Sequence, residues 1–232
     1  MIVEVWIGIS KRACGNWSVM TILGVICLSG CADRMVLLRY EPSLVSRSAT
    51  APSFLPPGVA PGANTQPITI YQFADYRGPE ADGDVHRVGG VYNLYGSRFA
   101  KVMTAVPFTS ALAIALASAL QARGVRATSA EDSFIPGTTR VPTPLAMWGE
   151  IHNFSTESRG GIAAHVSGIV RVYDKTGRLL VEQQFSARDH EGLGSGTDTL
   201  EKALNRAMAL FVHRVGDDPD ITRVLMGGSA LR

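Results

Sequence analysis

Ile162-Ala-Ala-His-Val-Ser-Gly-Ile-Val-Arg-Val-Tyr173 and Leu179-Leu-Val-Glu-Gln-Gln-Phe-Ser-Ala-Arg188 flank a short polar turn, Asp174-Lys-Thr-Gly177. Ile162, Ala164, Val166, Gly168, Val170 and Val172 share one face of an extended chain, because side chains alternate along a strand. His165, Ser167 and Arg171 fall on the other face, with Ile169 as the exception. Asp and Gly bracketing a polar turn between two β-rich runs predict an antiparallel hairpin. One apolar face needs a covering layer, and the rest of the chain must supply it.

Working towards the N-terminus, Leu145 to Phe154 reads as extended, followed by a Ser-Thr-Glu-Ser-Arg-Gly-Gly turn. Ala127 to Thr143 reads as loop, with a turn at Pro136-Gly137. Phe108 to Arg123 predicts a helix, Thr109 serving as cap and Gly124 as a left-handed stop. Its alanines at 111, 113, 115, 117 and 119 leave a smooth surface for close packing on a sheet. Ile68-Thr-Ile-Tyr-Gln-Phe73 alternates as a strand does, and Arg98 to Val106 is a weaker strand candidate.

On the C-terminal side a helix begins near Asp198, with Glu201 placed as in a capping box. Leu200, Leu204, Ala207, Met208, Phe211 and Val215 form one apolar stripe at helical spacing. Asp218-Pro219 opens a short closing helix. The expectation is an α+β domain over residues 68–232. It would hold an antiparallel sheet of about four or five strands, with two main helices packed on one face.

The chain has 232 residues, 46% hydrophobic and 18% charged, with a formal net charge of +2. That balance is too even for a general nucleic-acid binder and too apolar for disorder throughout. Cys14, Cys27 and Cys31 are the only cysteines, all within the first 31 residues. Lys11 and Arg12 precede the apolar block Trp17 to Leu28, which is too short to span a bilayer as a helix. A basic region, a short apolar stretch and small residues are the layout of a secretory signal.

Directly after that block stands Leu28-Ser29-Gly30-Cys31, which resembles the bacterial lipobox. The resemblance implies peptidase recognition of Leu28, Ser29 and Gly30 and cleavage before Cys31. It also implies a diacylglycerol thioether on the Cys31 thiol and an acyl chain on its amine. Several chains on one residue anchor stably where one does not. By resemblance to enterobacterial sorting rules, Ala32 after the cysteine favours the outer membrane over retention at the inner one. The expected organisation is residues 1–30 as signal peptide, 31–67 as lipidated cysteine and tether, and 68–232 as a periplasmic domain. Six of the twelve prolines lie between Pro42 and Pro67, a composition typical of a semi-rigid spacer. Fully extended, some 25 such residues would reach roughly 75 Å.

Chemistry is sparse. The histidines at 86, 152, 165, 190 and 213 are scattered and make no metal-ligand spacing. Asp189-His190-Glu191 are adjacent on a strand, so their side chains alternate between faces. Gly192-Leu-Gly-Ser-Gly196 lacks the third glycine of a dinucleotide loop and a Walker lysine; Ser195 is one place off a nucleophile elbow. Glu80, Asp82 and Asp84 do not make a calcium loop. Trp148 and the tyrosines at 71, 76, 92 and 95 fit a sheet as readily as a partner surface. No catalytic residue, metal ligand or cofactor is nominated.

The order of motifs resembles the YajG-type bacterial outer-membrane lipoproteins. It comprises the Leu28–Cys31 box, the proline-rich spacer, the strand from Ile68, the Leu112–Leu120 helix stopped by Gly124, the Val166–Arg188 hairpin, a helix with Ala203-Leu204 and Ala207, and Asp218-Pro-Asp-Ile221. The chain departs from that pattern in its longer leader and in the stretch from Ala127 to Pro144. The resemblance implies an outer-membrane lipoprotein with an α+β periplasmic domain and no established activity. With no catalytic motif in the chain, the expectation is a non-enzymatic accessory that binds or helps assemble another envelope protein or lipid. The alternative is an auxiliary lipoprotein of an ABC-type lipid transporter or of lipopolysaccharide assembly.

Overall fold

The computed structural model describes residues 35–40, 65–78, 83–92, 98–158, 161–191 and 197–228. The chain divides into units of residues 1–32 and 33–232, and all of these residues belong to the second. In chain order the described strands are β1 (Met35–Leu38), β2 (Ile68–Gln72), β3 (Ala74–Asp75), β4 (Arg87–Tyr92), β5 (Arg98–Thr104), β6 (Ala127–Ser133), β7 (Leu145–Ser158), β8 (Ile162–Asp174) and β9 (Leu179–Glu191). Helix α1 (Phe108–Ala122) lies between β5 and β6, and α2 (Thr197–Gly216) and α3 (Pro219–Leu225) close the chain.

The hairpin forms as its pattern requires: β8 and β9 pair antiparallel from Ile162↔Glu191 to Tyr173↔Leu179. Asp174 fastens the turn, its carboxylate accepting from the Thr176 and Arg178 backbone N–H groups, while Gly177 takes a positive φ of 83°. Strand β7 runs antiparallel along the other edge of β8, with a slip between Ile151 and Asn153. It continues four residues past Phe154, through the stretch expected to turn.

The sheet is larger than expected and mixed in direction. It has nine strands among the described residues, not four or five, and it is not purely antiparallel. Strands β2, β3 and β4 line up in succession along one edge of β7, all parallel to it, at Ile68↔Leu145, Ala74↔Glu150 and Gly89↔Thr156. Beyond this interrupted strand the sheet forks: β6 pairs β2 in parallel, while β5 pairs β4 antiparallel and carries β1 in parallel. Parallel pairing joins segments that are distant in sequence and leaves no local turn signature. The segment Ala127–Ser133 is a strand rather than a loop; it is an edge strand with mostly exposed polar residues, so its period is muted.

Both main helices pack on one face of the sheet, as expected. Ile68, Ile70, Met147, Ile151, Val166 and Val170 meet Leu112, Leu116, Leu204, Met208 and Phe211 in one core. All five named alanines of α1 are buried, which lets the helix approach the sheet and α2 closely. Thr109 does not cap it. Pro107 stands at the cap position, and the Thr109 hydroxyl inside the first turn accepts from Gln72 Nε2 at 3.0 Å. Gly124 ends the helix at φ 86°. At that end the fully buried Arg123 guanidinium pairs with Asp217, 2.9 Å away just beyond α2. Asp218 caps α3, its carboxylate accepting from the Asp220 and Ile221 N–H groups at 3.0 Å each.

Candidate functional site

The face of the sheet opposite the helices carries the second set of alternating side chains. Near the β8–β9 turn it is covered: Tyr71, Phe134, Ala146 and Tyr173 form a small buried cluster, with Trp148 and Val141 against it. Phe134 sits 5.0 Å from both the Tyr71 and Tyr173 rings and 6.4 Å from Trp148. The residues after β6 therefore fold over this face, held by a 2.8 Å bond between the Thr69 and Thr143 hydroxyls. Trp148 thus belongs to this outer cluster, half-buried, and not to the main core. Burial pushes the Tyr173 phenol up, and that of Tyr71 likewise, with Asp132 adding to the latter.

Next to the aromatic cluster the face becomes ionic. Glu150 on β7, Arg171 on β8 and Glu182 on β9 form a cross-strand row, with Arg171 bonded to Glu150 at 2.6 Å and to Glu182 at 2.5 Å. The Arg171 guanidinium also lies 5.6 Å from the Trp148 ring. His152 approaches Glu150 at 3.4 Å, and Tyr76, 62% exposed, makes a T-shaped contact with the His152 ring. Burial alone would raise the Glu150 carboxyl, but the bonds from Arg171 and His152 outweigh it and hold it below the usual range. Burial would likewise lower Arg171; its two carboxylate partners reverse that and raise it. Glu150 and Arg171 thus each favour their charged form in the folded chain, and the row presents oriented charges on the outer face of the sheet.

The lipobox residues Leu28, Ser29, Gly30 and Cys31 lie outside the described residues, as do Glu80, Asp82, Tyr95 and the Gly192–Gly196 stretch with Ser195. Asp84 serves structure: its side chain accepts from the His86 N–H at 2.8 Å, and its carbonyl accepts from Arg77. His86 bonds the Thr104 carbonyl, His165 the Ser186 hydroxyl and His213 the Asp217 carboxylate. Burial, aided by Arg188, lowers the His165 pKa. Asp189 is within 4.0 Å of Arg206, and His190 is exposed beside it. Among the described residues no three His, Cys, Asp or Glu side chains converge as a metal site, and no helix is long and apolar enough to cross a membrane. Sequence reading passed over Glu150, Arg171 and Glu182 because only the strand register aligns them; each is an ordinary outward residue of its own strand.

No family model and no curated protein matches the sequence. Solved structures do resemble the fold. Protein XCC0632 from Xanthomonas campestris, assigned to the DUF330 family, superposes with a TM-score of 0.53 at 11% identity, over 82% of this chain and 96% of that one. An uncharacterised protein gives a TM-score of 0.46 at 14% identity, over 68% and 94%. Lipoprotein GNA1162 from Neisseria meningitidis gives 0.35 at 13% identity, over 62% and 99%. What this chain shares with XCC0632 is its fold.

Proposed function

We propose that the chain is a bacterial envelope lipoprotein of the YajG-like kind, anchored through acylated Cys31 and facing the periplasm from the outer membrane. It acts without catalysis, as a binding or assembly accessory to an envelope protein or lipid. The observation that carries this reading is the order basic residues, apolar block, Leu28-Ser-Gly-Cys31. The ion-paired row Glu150–Arg171–Glu182 beside the aromatic cluster supports a recognition role, since it presents oriented polar groups on the sheet.

Replacing Cys31 by Ser tests the anchor. The variant is expected in the soluble periplasmic fraction and unacylated by mass spectrometry, whereas the unaltered chain stays with the membrane. An intact leader or an unmodified Cys31 on the native protein would refute the reading. Crosslinking in intact cells then identifies the partner, and recovery of a lipid-transport permease would favour the ABC-auxiliary alternative. A hydrolytic activity that vanished on His190→Ala or Ser195→Ala would refute the non-enzymatic role.

A further inference from the structure

The residues after the lipobox do not begin as a free tether. Only Ala32, Asp33 and Arg34 separate Cys31 from β1, a span of at most about 14 Å from Cys31 to Met35. Strand β1 is built into the domain. It pairs with β5 from Met35↔Lys101 to Leu38↔Thr104, and Leu38 is fully buried. Asn205 of α2 donates to the Arg39 carbonyl at 3.2 Å, and Glu201 accepts from the Arg39 N–H at 3.1 Å. Tyr40 makes a T-shaped contact with Phe154 and donates to the Thr104 hydroxyl. The proline-rich residues therefore connect β1 to β2 and do not stand between Cys31 and the fold.

Strand β1 ends the sheet path, and its outward residues are apolar: Met35 is 63% exposed and Leu37 55%. Arg39 and Arg98 are exposed along β1 and β5, and the Glu201 carboxylate of α2 accepts from the Arg39 N–H. Apolar side chains next to basic ones suit the boundary between acyl chains and anionic headgroups. The start of β1 lies at the end of the sheet marked by Tyr92↔Arg98 and Ser158↔Ile162. The β8–β9 turn lies at the other end of β7, about 40 Å away at ~3.3 Å per residue.

We propose that the N-terminal end of β1 docks on the bilayer surface, Met35 and Leu37 entering the interface, so that the Ser158–Ile162 end of the sheet faces the membrane and the β8–β9 turn, at the opposite end of the strands, projects away. This rests on acylation of Cys31, and the experiment separates the two. The mature domain has no other cysteine, so Leu37→Cys and Lys175→Cys each give a single labelling site. Each acylated full-length protein, carrying a fluorescent thiol label, is reconstituted into phosphatidylethanolamine–phosphatidylglycerol vesicles containing brominated acyl chains. Loss of fluorescence at position 37 and none at 175 is the expected result. Acylated protein that floats with the vesicles while neither label is quenched would overturn the orientation and leave the anchor standing. So would disulfide-linked pairs through position 37 in place of quenching, which would assign the edge to a second copy. Absence of acyl mass on Cys31, with flotation unchanged by Cys31→Ser, would remove the anchor itself.

Discussion

Gly89 illustrates how much a single position can decide. Its φ of 150° lies where side chains are disfavoured, and a Cβ there would stand 1.8 Å from the Thr156 carbonyl oxygen. Strand β4 can approach β7 only because that atom is missing. Gly89→Ala is expected to lower stability by roughly 2–4 kcal/mol, read as a fall in the urea midpoint. Glu150 sets a different kind of dependence. Its carboxyl is held below the ordinary value in the folded chain, so its contribution is complete above the unfolded pKa. It fades as pH falls through the folded one. Glu150→Gln should flatten the loss of stability below about pH 4.3, and acid titrations of both proteins followed by circular dichroism would show it.

Elements differ in how openly they announce themselves. Helix α3 was legible from Asp218-Pro219 alone, because the cap and the proline act within one turn; Asp218→Ala should cost about 1 kcal/mol in thermal unfolding. The β8–β9 hairpin and α2 were equally legible, since alternation and the 3.6-residue stripe are local consequences of burying one face. Strands β3, β4 and β6 were not. The first is two residues long, the second is interrupted by Gly89 and Gly90, and the third is an outer strand with little to bury. Their strand identity comes from β7 and β2, whose backbone groups they pair.

At the scale of the whole molecule, β1 changes the meaning of the N-terminal region. A chain truncated to residues 65–232 would lack a mere tether had the sequence-based boundary been complete. Instead it loses the packing of Leu38 and Tyr40 against β5, Phe154 and α2. Its unfolding free energy should fall by roughly 3–5 kcal/mol relative to the chain that retains residues 35–40, measurable by urea denaturation. Equal stability of the two chains would show that β1 adds nothing to the fold.

The α+β class, the hairpin and the helices were determined by sequence alone, because turns, helix stops and periodicity are all written in contiguous residues. Tertiary structure alone decided the mixed nine-stranded sheet, the row Glu150–Arg171–Glu182 and the place of β1. Each depends on register between segments far apart in the chain, and the energy of such pairing belongs to the assembled sheet, not to any one of its strands.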